Sequence, residues 1–288
     1  MKIYIDGKLV DREKAVISVF DHGLLYGDGV FEGIRTYDGL IFRMKEHIDR
    51  LYRSADAIEL KIPVKKAGMI RDVIRTLKAN KLKDAYIRLV VTRGQGDLGL
   101  DPRKCGAPTV FIITDRIALY PKKYYERGLD IITARVRRNI PQALDARIKS
   151  LNYLNNILAK IDAIKAGVEE AIMLNYEGYA AECTGDNIFT VRGGELATPP
   201  VTLGALEGIT RDAVIGIAKK AGIPFRERLM KVDYLYGADE VFLTGTAAEV
   251  IPVVKIDKRV IGNGFPGPVT AMLTERFRAL TKSDGMRY

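Results

Sequence analysis

Asp145-Ala146-Arg147-Ile148-Lys149-Ser150-Leu151-Asn152-Tyr153-Leu154-Asn155-Asn156 marks the point where an extended segment gives way to a helix. Leu151, Leu154, Leu158, Ile161 and Ile164 recur every three or four positions, the spacing of one buried helix face. Gly167 closes the run in the manner of a helix C-terminus. Ser150 is placed to cap the first turn, so Lys149 stands just ahead of the helix's positive end. A lysine held there and shielded from water loses affinity for its proton. Its neutral amine is then a nucleophile able to form a Schiff base with an aldehyde. The ordinary alternative is a solvated, charged lysine, one of 46 Lys and Arg residues.

The bulk properties narrow the classes. A chain of 288 residues is near the size at which cores split into two domains. Its 47% hydrophobic and 28% charged residues are those of a soluble globular protein. No apolar run reaches the length of a membrane span, and Met1-Lys2-Ile3-Tyr4-Ile5-Asp6-Gly7 reads as strand and turn rather than signal peptide. Two distant cysteines, Cys105 and Cys183, with only His22 and His47 besides, argue against a zinc site or any other metal and for a cytoplasmic location. Abundant Lys, Arg and Glu, with Gln only at Gln95 and Gln142 and no Trp, point to a thermophilic source. The net charge of +10 is spread along the chain without a nucleic-acid-binding motif. It suits small phosphates and carboxylates instead.

Along the chain, strands are expected from Lys2 to a turn at Asp6-Gly7 and again through Val16-Ile17-Ser18-Val19. The glycine-dense stretch from Asp21 to Arg35 suits close approach of backbone to a ligand, or a plain turn with a core aromatic. A helix over 43–60 buries Ile48, Leu51, Tyr52 and Ala55, with Arg50 at the stripe's edge. Such an arginine reaches a phosphate or a carboxylate, or makes a surface ion pair. A second helix covers 64–80. The strand 85–93 puts Tyr86 and Arg88 on one face, where two polar groups need a ligand or partner. A glycine-rich loop, Gly94 to Pro102, follows it.

Pro121 and its charged neighbours set a boundary: a smaller domain over 1–118, a linker over 119–129 and a larger domain over 130–288. In the second, Glu182 lies at a strand end before the polar loop 183–187, either solvated or holding a proton on a heterocyclic nitrogen. Thr210 opens a helix over 211–221 and serves as a cap or as part of an anion site. The strand 240–243 runs into Thr244-Gly245-Thr246-Ala247, where small residues gather amides and hydroxyls. One activated lysine, a carboxylate, an arginine and two hydroxyl-bearing glycine turns are the parts that pyridoxal 5'-phosphate requires.

Tyr26-Gly-Asp-Gly-Val-Phe-Glu-Gly33, Ile148-Lys-Ser-Leu-Asn-Tyr153, Glu182-Cys-Thr-Gly-Asp-Asn187, Gly208-Ile-Thr-Arg211 and Leu243-Thr-Gly-Thr-Ala-Ala-Glu249 resemble, in that order, the motifs of the class IV aminotransferases. The chain is most similar to the branched-chain amino acid aminotransferases among them. The resemblance implies a two-domain α/β (α+β) fold of type IV, a smaller N-terminal α/β domain and a larger C-terminal one with a mixed, barrel-like sheet. It places the active site at the domain and subunit interface. It implies that Lys149 binds the cofactor aldehyde and shuttles the proton, that Tyr153 meets the phenolic oxygen, and that Glu182 pairs with the pyridine nitrogen. Arg50, Ile209, Thr210 and Thr246 would bind the phosphate. Thr246, Ala247 and Tyr86 would bind the substrate α-carboxylate. Phe31, Gly33, Arg88 and Tyr120 would line the side-chain pocket, with Tyr124 or Tyr125 competing for the place of Tyr120. Tyr26 and Leu98 would come from a neighbouring subunit of a homodimer or hexamer. The implied reaction is ping-pong transamination of L-leucine, L-isoleucine and L-valine with 2-oxoglutarate. D-amino-acid aminotransferase and aminodeoxychorismate lyase activities remain open on the same motifs.

Overall fold

The computed structural model describes residues 1–116 and 120–288. Contacts divide the chain into two units that are not contiguous in sequence. The first combines Met1–Ile117, Ile148–Asn152 and Thr281–Tyr288; the second combines Ala118–Arg147 and Tyr153–Leu280. The domain boundary read at 118 and 119 falls on positions outside the described residues.

In the first unit, a seven-stranded antiparallel sheet runs in the order Gly285–Arg287, Leu40–Phe42, Gly29–Tyr37, Ala85–Thr92, Val110–Asp115, Lys2–Ile5, Lys8–Asp11. The Asp38-Gly39 turn joins two of these strands, both residues taking positive φ as such turns require. Helices Met44–Ala57 and Lys66–Ala79 bury Ile48, Leu51, Met69, Val73 and Leu77 with Ile34, Ile87 and Leu89 of the sheet. Each such aliphatic side chain contributes about 1.5–3 kcal/mol on burial. The strand expected through Val16–Val19 does not form. The partner of Lys2–Ile5 is instead Lys8–Asp11, because the tight Asp6-Gly7 turn returns the chain at once. The C-terminal strand Gly285–Arg287, pairing with Leu40–Phe42, has no counterpart in the sequence reading.

The second unit holds a nine-stranded mixed sheet, curled around a core that includes Leu129, Ile131, Ile172, Ile188, Leu243 and Ile251. Three of its pairings are parallel, among them Leu129–Arg137 with Glu170–Leu174. The crossover between those two strands is the helix Leu154–Lys165, as a parallel pair demands. Here the expected buried stripe is reversed. Leu154 and Ile164 are 66% and 65% exposed, and Leu158 and Ile161 are exposed as well. The helix lies on the sheet through Asn156, Ala159, Asp162 and Ala163. Alanines let the helix approach Ala134, Ala171 and Met173 closely. Asp162 is drawn inward because it accepts the Arg135 main-chain N–H at 3.0 Å and the Arg135 guanidinium at 2.7 Å. Ser150 is not the cap. The helix starts at Leu154, and the Ser150 hydroxyl accepts the Asn152 N–H at 3.3 Å instead.

Among the described residues no helix is long and apolar enough to cross a membrane. The orientation of the Leu154–Lys165 helix is checked by urea unfolding. Ala163→Leu should cost about 1–3 kcal/mol through overpacking, and Ile164→Ser less than about 0.5 kcal/mol. Equal losses would contradict the placement.

Candidate active site

In the first unit, Lys149 is held by its main chain. The Phe31 N–H donates to the Lys149 carbonyl at 3.0 Å and the Leu151 N–H to that of Gly29 at 2.9 Å, with Val30 opposite Ser150. The Lys149 N–H donates to Ser54 Oγ at 3.1 Å. The close pairing needs Gly29, where a Cβ would lie 2.7 Å from Leu151 Cδ1 and 2.7 Å from the Val91 carbonyl oxygen.

This register brings Phe31 and Lys149 to one face, with Lys149 Nζ 4.5 Å from the Phe31 ring centroid. Arg88 Cζ stands 4.5 Å from the same centroid and 5.6 Å from that of Tyr86. Both cations lie within the reach of an aromatic ring's attraction. Tyr86 Oη covers Gly33, where a Cβ would come within 2.1 Å of it. Phe31, Gly33, Tyr86, Arg88 and Lys149 therefore lie together, and alternation along the strand accounts for Tyr86 and Arg88 sharing that face. Tyr26 and Leu98, both exposed, are joined to each other by a 2.6 Å hydrogen bond from Tyr26 Oη to the Leu98 carbonyl.

Arg50 is buried on the helix Met44–Ala57, its Nε 2.7 Å and its Nη2 2.9 Å from the two carboxylate oxygens of Glu32. His47 Nδ1 lies 2.8 Å from Glu32 Oε2. Burial opposes the charge on Glu32, but the Arg50 guanidinium and His47 outweigh it and hold the carboxyl well below the usual range. Burial pushes the His47 imidazole down, so it sits neutral and donates through Nδ1.

In the second unit, Glu182 lies on the strand Ala180–Cys183 with Oε1 2.7 Å from Arg138 Nη2. Its Oε2 accepts the Leu206 N–H at 2.9 Å. Arg138 is fixed in turn by the Gly204 carbonyl and Asn156 Oδ1, each at 2.8 Å. The helix Ile209–Lys220 starts earlier than the sequence reading, so Thr210 lies inside its first turn and Gly208 takes the cap position without a side-chain cap. A Cβ on Gly208 would sit 2.0 Å from Asn187 Oδ1. Thr246 and Ala247 occupy the turn between the strands Glu240–Gly245 and Glu249–Ile256. Tyr153 immediately precedes the Leu154–Lys165 helix. Tyr120 lies in the core with its hydroxyl 3.4 Å from Glu170 Oε2, and burial pushes the phenol far up. Tyr124 donates to Glu169 at 2.8 Å, and Tyr125 packs partly buried against the core.

The profile of Amino-transferase class IV matches residues 29–256. The chain belongs to the class IV aminotransferases. A Methanocaldococcus jannaschii protein is 55% identical over 287 residues, covering 100% of this chain and 99% of its own. The Escherichia coli branched-chain amino acid aminotransferase superposes with a TM-score of 0.95 at 36% identity, over 99% of this chain and 96% of its own. The branched-chain aminotransferase of Thermoproteus uzoniensis, solved with norvaline, gives 0.91 at 40% identity, over 98% and 94%. A further branched-chain enzyme, solved with pyridoxamine 5'-phosphate, gives 0.94 at 38% identity, over 97% and 93%. This aminotransferase thus shares the type IV fold with these structures.

Its own residues suit a phosphate-bearing cofactor. The Ile209–Lys220 helix opens with first-turn amides and no capping side chain, the arrangement that accepts an anion. Gly245 leaves a cradle beside the Thr246 turn, where a Cβ would meet Asp186 Oδ1 at 1.9 Å.

Glu32, His47, Ser54, Arg138 and Asp186 are among the buried polar residues that the sequence reading did not single out for roles. Glu32 and Asp186 fall inside quoted motifs, whereas His47, Ser54 and Arg138 lie outside them and carry no local signal. Among the described residues, Asp186 Oδ2 is buried without a hydrogen-bond partner. Burial first, and then the neighbouring Glu170 charge, push this carboxyl up from 3.8 to about 8. The native state therefore binds a proton there that the unfolded chain releases. Its stabilising effect is complete at low pH and is lost as pH climbs from about 4 to about 8. Against Asp186→Asn, the native protein should lose up to about 1.4 kcal/mol per pH unit across that window in urea titrations. Parallel pH profiles would refute the assignment.

Proposed function

We propose that this class IV enzyme is a pyridoxal 5'-phosphate-dependent branched-chain amino acid aminotransferase. It passes the amino group of L-leucine, L-isoleucine or L-valine to 2-oxoglutarate in two ping-pong half-reactions. The observation that carries the reading is Lys149, gripped by its main chain with Nζ over Phe31 beside Arg88 and Tyr86. When bound, the cofactor supplies an aldehyde for an amine and a ring that accepts the electrons left at the substrate Cα.

The chain supplies the rest. Lys149 Nζ takes the Cα proton and later returns it, a task that favours a base partly withdrawn from water. Glu182, anchored by Arg138 and the Leu206 amide, holds a proton on the pyridine nitrogen. Tyr153 donates to the phenolic oxygen. The Ile209 and Thr210 amides, Thr246 and Arg50 bind the phosphate. The Thr246 and Ala247 amides and Tyr86 bind the α-carboxylate, while Phe31, Gly33, Arg88 and Tyr120 bound the substrate side chain. Assembly as a homodimer or hexamer, with Tyr26 and Leu98 serving a neighbouring subunit, is supported by the exposed apolar side chains Leu24, Leu25 and Leu98. Two free cysteines and a composition rich in Lys, Arg and Glu support a cytoplasmic, thermophilic enzyme.

Borohydride reduction of the native protein should leave a pyridoxyl group on Lys149 alone, and L-leucine should bleach the bound chromophore where D-leucine does not. Lys149→Ala should lose turnover by about 10⁴-fold or more, several kcal/mol of barrier. A label on another residue, near-normal turnover in the variant, or bleaching by D-leucine only would overturn this reading.

A further inference from the structure

Glu32 stands in the middle of the strand Gly29–Tyr37 with 0% of its surface exposed. It is met there by Arg50 through a two-point fork and by His47, three residues earlier on the same helix face. Stability does not explain this cluster. A buried ion pair commonly gives no advantage over apolar residues of the same volume. The fork does remove the rotational freedom of the Arg50 guanidinium, and both Glu32 oxygens are used in doing so. Ser54, one helical turn beyond Arg50, receives the Lys149 N–H, and Phe31, beside Glu32, donates to the Lys149 carbonyl. The same strand and helix thus fix Arg50 and the main chain of Lys149 in one frame.

We propose that Glu32 and His47 are positioning residues for the cofactor phosphate, acting through Arg50 by fixing the plane of its guanidinium. The inference rests on the reading that Arg50 binds that phosphate. The Nε–Nη2 edge of Arg50 faces Glu32.

The test compares equilibrium affinities of the apoenzyme for pyridoxal 5'-phosphate and for pyridoxal, which lacks the phosphate. The absorbance of the lysine-bound chromophore is the readout. Glu32→Gln, which keeps the shape and removes the charge, should weaken pyridoxal 5'-phosphate by about 10- to 100-fold, the worth of a charge-assisted hydrogen bond. Pyridoxal affinity should stay within about twofold. His47→Leu should shift the ratio in the same direction, and His47→Asn, which restores a donor near the Nδ1 position, should recover it. Equal losses for both ligands, or an unchanged ratio, would overturn the proposal. Arg50→Gln separates the two failures: if it leaves the ratio unchanged, the phosphate reading of Arg50 itself is wrong. Should Glu32→Gln fail to fold, the two His47 variants decide by the same ratio.

Discussion

The short antiparallel grip of Ile148–Asn152 on Gly29–Phe31 is the constraint on which the rest of the candidate site depends. A lysine side chain is long and loses much entropy when ordered, so its useful precision comes from its backbone. Here that backbone is held on three sides, by Phe31, by Gly29 through Leu151, and by the Ser54 hydroxyl. Proton transfer falls off steeply with misplacement, by orders of magnitude for an ångström. A lysine on a mobile loop would not meet that demand. The grip also explains the interrupted course of the chain, since Arg147 and Tyr153, on either side of the segment, belong to the other unit.

Each unit handles buried charge in a related way. Glu32 is tied to Arg50 in the first and Glu182 to Arg138 in the second, and each carboxylate accepts a further hydrogen bond. Burying such pairs is costly, and removing one partner is more costly still because a lone charge remains. The gain is orientation: neither carboxylate can rotate without breaking at least two bonds. Asp186 is the contrast. Burial and the Glu170 charge outweigh the pull of Lys160 there, and it keeps its proton instead. An uncharged Asp186 beside Gly245 also leaves the neighbouring turn without a negative charge to repel an anion.

What could be read in the sequence was what local periodicity encodes. The Tyr86 and Arg88 face follows from two-residue alternation, and the helices around Ile48 and Val73 follow from a 3.6-residue repeat. The Leu154–Lys165 helix shows the limit of the method. Its aliphatic and its small-polar positions have the same period, so spacing alone does not say which stripe meets the sheet. The choice falls to tertiary partners, Arg135 for Asp162 and the Thr184 carbonyl for Asn156. Partners distant in sequence also decide Glu32, Arg138 and the strand Gly285–Arg287. The Arg138–Glu182 pair spans 44 positions and has no local signature.

The face around Phe31 bears on how one pocket could serve two kinds of substrate. On the proposed reading it must take an aliphatic side chain in one half-reaction and a carboxylate-bearing one in the other. A guanidinium lying near an aromatic ring keeps its donors in its own plane, while its faces are only weakly hydrated. Arg88, 4.5 Å from the Phe31 centroid, is placed to offer an apolar surface with Phe31 and charged donors at its rim. An aliphatic side chain then leaves the charge satisfied by the ring, whereas a carboxylate gains a bidentate partner. A lysine at this position would lack the planar fork and hold its hydration more strongly. On that reading the arginine side chain, rather than positive charge alone, is what would let both substrates use the same space.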